Sequence, residues 1–136
     1  TRIPEMLKYG ITCAFGHDCV MDPWYSLGSG DMLEVASMGL HVGQMTSRDA
    51  MRQCFDLVTT GPARIMHLDG YGLDIGCKAD MVLLQARDAI EAIRLKPARL
   101  KVIKSGKVIA STPRRETRLA LENRPTTLDA SLVGPQ

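Results

Sequence analysis

Residues Ile3 to Asp18 read IPEMLKYGITCAFGHD, and the order of their chemistry decides the fold class. Ile3–Gly10 predicts a short helix, with Pro4 in the first turn, where its missing N–H costs nothing, and Gly10 as the stop. Ile11–Phe15 is short, partly β-branched and uncharged, which predicts a buried strand. Helix, glycine and buried strand make the α-to-β half of a repeating β/α unit, so the class is α/β. The strand then runs into Gly16-His17-Asp18-Cys19, and Asp22-Pro23-Trp24 follows, first of all as a turn.

Working outward, Asp31–Met45 predicts a helix with two fairly apolar faces, in which Gly39 and Gly43 permit close packing on a neighbour. Ser47–Thr59 is a cleaner amphipathic helix: Met51, Cys54, Phe55 and Val58 fall on one face, and Ser47 or Thr46 can cap it. A short third helix opens at Gly61-Pro62 and ends near Leu68. Beyond Asp69 the texture changes. Tyr71–Lys78 is Gly-rich and irregular, Ala79–Leu84 predicts a strand, and Ala89–Leu95 a small helix with Ile90 and Ile93 inward. Ser105-Gly106 between Leu100–Lys104 and Lys107–Ala110 is a two-residue hairpin signal. Thr117–Leu121 adds a further strand, and the Pro-containing end after Asn123 is expected to be poorly ordered. The expected organisation is therefore 1–68, mostly helical, 69–122, mostly β, and 123–136, a tail.

The chain has 136 residues with net charge +2, 45% hydrophobic and 24% charged. That balance fits one soluble globular domain with a real core and argues for neither nucleic-acid nor membrane partners. Arg114, Arg115 and Arg118 alternate with Glu116 and Glu122, which reads as a solvated tail. No apolar run approaches a membrane span. The four cysteines, at 13, 19, 54 and 77, form no C-x-x-C pair, so zinc-knuckle and thioredoxin-like chemistry is excluded and a reducing, cytoplasmic setting follows. Cys13 and Cys54 read as small core residues. The first residue is Thr1 rather than Met, so the expectation is a processed chain or a piece of a longer protein.

Asp18 stands at the carboxyl end of the predicted strand, where β/α barrels place reactive side chains. A carboxylate there can bind a metal ion or take a proton from metal-bound water; it can equally cap a turn. His17 reads as a ligand or as a satisfied structural residue. Trp24 can stack on a flat ring or belong to the core. Cys19 has no evident activating partner, which favours a lining role over a nucleophilic one. His41 and His67 lack a second ligand at i+4. The H-x-E with P-C-x-x-C pattern of the small zinc deaminases is absent.

Two stretches taken together resemble the amidohydrolase superfamily, and within it the bacterial cytosine deaminases. GITCAFGHDCVMDPWYSLGSGDMLEVASMGLHVGQM carries the Gly-His-Asp and Asp-Pro-Trp-Tyr landmarks found around the eighth barrel strand of those enzymes. TTGPARIMHLDGYGLDIGCKADMVLL, with VIKSGKVIAS further on, is similar to the superfamily's closing segment. The resemblance covers the chain to about Thr112. It implies the C-terminal fragment of a (β/α)8 barrel followed by part of an amidohydrolase β-sandwich domain. It further implies hydrolytic deamination of cytosine or a related heterocycle, with Asp18 as metal ligand and general base. Trp24 and Cys19 would line the substrate pocket, and His17 would support Asp18. The implied cofactor is one divalent metal ion, zinc or iron, mostly liganded by residues outside this chain; the first-strand H-x-H pair, the further His ligands and the proton-shuttling Glu of the family have no counterpart here. The chain alone is therefore expected to be inactive, with the missing barrel portion or a homo-oligomer partner completing it. The family pattern has a second Asp where this sequence has Cys19, which implies an altered pyrimidine, a purine analogue or a triazine as alternative substrates. The competing reading is a non-catalytic remnant that serves as an oligomerisation or binding module.

Overall fold

The computed structural model describes residues 2–128. In chain order the elements are α1 (Ile3–Lys8), α2 (Met32–Val42), α3 (Arg48–Asp56), α4 (Thr60–Ile65), β1 (Met81–Leu84), α5 (Ala89–Leu95), β2 (Arg99–Lys104), β3 (Lys107–Ser111), β4 (Thr117–Arg118) and β5 (Thr127–Leu128). Helix starts follow side-chain chemistry. The carboxylate of Asp31 accepts from the Leu33 N–H at 2.8 Å, the Ser47 hydroxyl from Ala50 at 3.2 Å, and the Asp88 carboxylate from Glu91 at 2.8 Å. Each satisfies one of the donors a helix leaves unpaired at its start.

The core is built where these helices meet. Ala36 and Leu40 of α2, Met45, Cys54 of α3, Leu57 and Val58 pack with Ile3 of α1 and with Ile93 of α5. Ile93 lies well beyond Asp69, so the core of the helical half is completed by a helix of the following segment. On the opposite side of α2, Met38 and Val42 are 52% and 58% exposed. The helix does carry two apolar faces, and one of them is open among the described residues.

β1, β2 and β3 form an antiparallel sheet in that order, with Val82 opposite Val102 and Val102 opposite Ala110. The β2–β3 hairpin turns on Ser105-Gly106, both at positive φ (48° and 74°), the geometry that matches the twist of the flanking strands.

Two expectations need correction. Ile11–Phe15 is extended but is not a strand: no described strand runs beside it, and a parallel strand exists only through neighbours that take its hydrogen bonds. Its backbone is anchored at its two ends, by the Ile11 N–H to the Met6 carbonyl at 3.1 Å and by the Phe15 N–H to the Leu57 carbonyl at 2.8 Å. Nor is the segment after Asn123 shapeless throughout. It turns at Asn123 (φ 61°), and β5 pairs with β4, so the strand expected over Thr117–Leu121 is only two residues long. Residues 129–136, the rest of the expected tail, lie outside the described residues.

Candidate functional site

From Thr12 to Val20 exposure alternates strictly: Cys13, Phe15, His17 and Cys19 are half-buried, while Thr12, Ala14, Gly16, Asp18 and Val20 are exposed. This is the period of extended backbone. One face of the segment lies on the helices and the other is open, and Asp18 stands on the open face.

The segment ends in a tight turn. The Cys19 N–H donates to the His17 carbonyl at 2.9 Å, and Asp18 between them has φ 66°. That is the γ-turn of positive φ, rare and strained for a residue with a Cβ. Strained backbone persists only where its surroundings hold it, and such positions concentrate at functional sites. Here the holding group is His17. Its Nε2 accepts from the Gly30 N–H at 3.2 Å, so the ring proton is on Nδ1, which donates to the Cys19 carbonyl at 2.7 Å. One imidazole thus closes the turn and ties it to the far end of the loop. Its described hydrogen bonds run to backbone atoms rather than to the Asp18 carboxylate. The ring also faces Tyr25, 6.5 Å away between centroids.

Asp22 closes a second turn. Its Oδ1 accepts from Trp24 at 2.9 Å and Tyr25 at 3.0 Å, as its place before Pro23 suggested. The Tyr25 N–H, chiefly, holds the Asp22 carboxyl below the usual carboxylate range, helped by the Cys19 thiol and the Trp24 N–H. In return Asp22 pushes the Cys19 thiol up, with desolvation and the Asp18 charge adding to it. These influences act against the thiolate, the form in which a cysteine is nucleophilic. Trp24 is 89% exposed, so it is not core in this chain.

A mostly apolar groove of about 320 Å³ runs beside the segment towards α2, lined among others by Phe15, His17, Tyr25, Val35 and Met38. Asp18, Cys19 and Trp24 are not among its lining residues. The other two histidines stand apart: His41 bonds the Ser37 carbonyl within α2, and His67 follows α4 at φ 49°. Among the described residues, no three His, Cys, Asp or Glu side chains converge on a point that could hold a metal ion. Asp18 fits as one oxygen donor of a metal site. A metal ion held there would need its other donors from outside the described residues.

Sequence reasoning missed the contact that fixes the other end of the loop. Arg99, at the start of β2, pairs through Nη2 with Asp31, the cap of α2. A contact across 68 positions has no local signal; an Arg beginning a strand reads as an ordinary surface residue.

No helix among the described residues is long and apolar enough to cross a membrane. Comparison with known proteins gives a consistent result. N-isopropylammelide isopropyl amidohydrolase of Pseudomonas sp. (strain ADP) is 29% identical over 106 residues, 77% of this chain and 26% of that protein. Pterin deaminase of Rhizobium rhizogenes is 32% identical over 113 residues, 80% of this chain and 25% of that protein. The chain thus spans about a quarter of the length of these relatives. The structure of 5-methylcytosine deaminase from Klebsiella pneumoniae with 5-fluorocytosine superposes with TM-score 0.82 at 37% identity, covering 88% of this chain and 29% of that one. N-isopropylammelide isopropylaminohydrolase from Burkholderia multivorans gives 0.78 at 36%, covering 81% and 28%. Residues 1–110 match the profile of the amidohydrolase family, and to that family the chain belongs.

Proposed function

We propose that this chain is the C-terminal part of a metal-dependent amidohydrolase that removes an amino group hydrolytically from a small heterocycle, cytosine or a close relative of it. The observation that carries the reading is Asp18 at the apex of a strained turn, within a chain 37% identical to a 5-methylcytosine deaminase. In this reading 1–68 is the last unit of a (β/α)8 barrel with its closing helices, and 69–122 is one part of a β-sandwich. Residues 11–15 become a strand once neighbours flank them. The setting is reducing and cytoplasmic, in keeping with the free thiols of Cys13, Cys19, Cys54 and Cys77.

The divalent ion, zinc or iron, supplies an activated water when bound. Asp18 gives it one carboxylate oxygen, accepts a proton from the attacking water and passes one on towards the departing ammonia. Trp24 packs against the ring. Cys19 lines its edge as a neutral thiol; a ring edge left without its acceptor loses about 1–3 kcal/mol, enough to shift preference among related rings. His17 holds the turn.

The test is ammonia release by the full-length protein from cytosine, 5-methylcytosine and pterin, and consumption of N-isopropylammelide. The expected result is turnover of at least one, reduced about 10²- to 10⁴-fold in Asp18→Asn. Metal-loaded protein that consumes none of them overturns the deaminase reading, and an unimpaired Asp18→Asn overturns the role of Asp18. A non-catalytic oligomerising remnant is the second reading, favoured by the open apolar face of α2 at Met38 and Val42. It predicts self-association in sedimentation velocity that Met38→Glu abolishes.

A further inference from the structure

We infer that Arg99, in the β half of the chain, is a positioning residue for the turn that carries Asp18, acting through Asp31, Gly30 and His17. The inference rests on the role proposed above for Asp18. Its basis is a continuous set of short contacts. The Arg99 guanidinium bonds Asp31 Oδ1 and also donates from Nη1 to the Pro97 carbonyl at 3.3 Å. Asp31 has further ties: the same Oδ1 accepts from Leu33 at the start of α2, and its own N–H donates to the Ser29 hydroxyl at 3.2 Å. The preceding residue, Gly30, gives its N–H to His17 Nε2, and His17 Nδ1 binds the Cys19 carbonyl. The path from Arg99 to Cys19 therefore runs through hydrogen bonds and the two adjacent residues Gly30 and Asp31.

Gly28 provides an independent observation. A Cβ at Gly28 would stand 2.3 Å from the Cys19 carbonyl oxygen and 2.9 Å from His17 Cε1. The returning arm of the loop therefore lies directly on the strained turn, backbone against backbone. A shift at Asp31 thus moves a loop arm that is already in contact with the turn that holds Asp18. The pair itself is sheltered, with side chains 35% and 21% exposed, so it holds better than an ordinary surface ion pair. A planar guanidinium can bind the carboxylate and a carbonyl together; a lysine ammonium provides charge without that fork. The sheet thus has a task at the site although none of its residues is within the loop.

The experiment uses full-length protein carrying Arg99→Leu, Asp31→Asn, both together, or Arg99→Lys. Hydrogen–deuterium exchange is followed over 16–31 and over the 99–111 hairpin, alongside kcat and KM. In Arg99→Leu, exchange over 16–31 is expected to rise several-fold with 99–111 unchanged, and kcat to fall about ten- to hundredfold. Asp31→Asn is expected to behave alike, the double variant to lose no more than the single ones, and Arg99→Lys to recover part of the loss. Unchanged exchange over 16–31 in both single variants overturns the inference. So does a rise spread equally over 99–111, which marks a general loss of stability, or strictly additive losses in kcat. If wild-type protein turns over none of the rings while the exchange pattern is as expected, the coupling stands and the deaminase reading falls.

Discussion

Phe15 lies with its ring directly on Gly39: a Cβ at position 39 would stand 2.3 Å from Cε2 and within 2.8 Å of two more ring atoms. The contact sets the distance between α2 and the extended segment that leads to Asp18. Gly39→Ala forces the whole ring away while the Phe15 N–H remains bonded to Leu57. We expect a loss of about 1–3 kcal/mol by urea denaturation, the range of an overpacked core. Phe15→Leu in the same background is expected to restore part of it.

Met45 and Cys54 meet in the middle of the core, sulfur to sulfur at 3.5 Å, with no water access to either. Met45→Ala removes the larger partner and leaves a cavity between α2 and α3. The expected cost is about 2–5 kcal/mol, and Met45→Leu should cost far less because it conserves volume.

Burial pushes the Cys54 thiol up to about 11. Iodoacetamide at pH 8 is expected to leave Cys54 unmodified in native protein and to alkylate it readily in urea, read by peptide mass spectrometry. The shift also fixes a pH dependence. The thiol ionises in the unfolded chain near its ordinary value of 9.0 but resists in the fold, so this contribution is intact below pH 9. It falls as pH rises from there towards 11. Cys54→Ala should flatten that limb of the stability curve.

Asp80 works in the opposite direction. The Lys104 ammonium, first, and the Ser105 N–H at 2.7 Å hold its carboxyl below the ordinary range. Its contribution to the β2–β3 hairpin is therefore complete above the unfolded carboxylate value of about 3.9 and is lost as pH falls below it. Acid titration followed by amide exchange at Ser105 should show the hairpin tip loosening there, and Asp80→Asn should remove the transition.

Local signals made most of the elements legible. Pro4 and Gly10 bracket the first helix, Ser47 caps α3, and Ser105-Gly106 makes the hairpin, because each acts within a few residues of itself. Ile11–Phe15 misled for the reason that a strand is not local: its apolar, β-prone residues describe a place in a sheet, and the neighbours that make that place are not among the described residues. Of the site residues, Asp22 was readable as a turn from Pro23 alone. The γ-turn at Asp18 and the two bonds of His17 were not, since they depend on Gly28 and Gly30 returning through space. The Arg99–Asp31 pair lay further still from any pattern in the sequence.

The peptide of Cys19 bonds through both its N–H and its carbonyl, and both bonds go to His17. The backbone thus makes the turn, and the side chain at 19 is spared from that duty. The bonds that make the turn carrying Asp18 therefore do not depend on which side chain stands at 19. Cys19→Ser and Cys19→Ala, which keep the side chain small, are accordingly expected to leave the turn intact, read as unchanged amide exchange over 16–20.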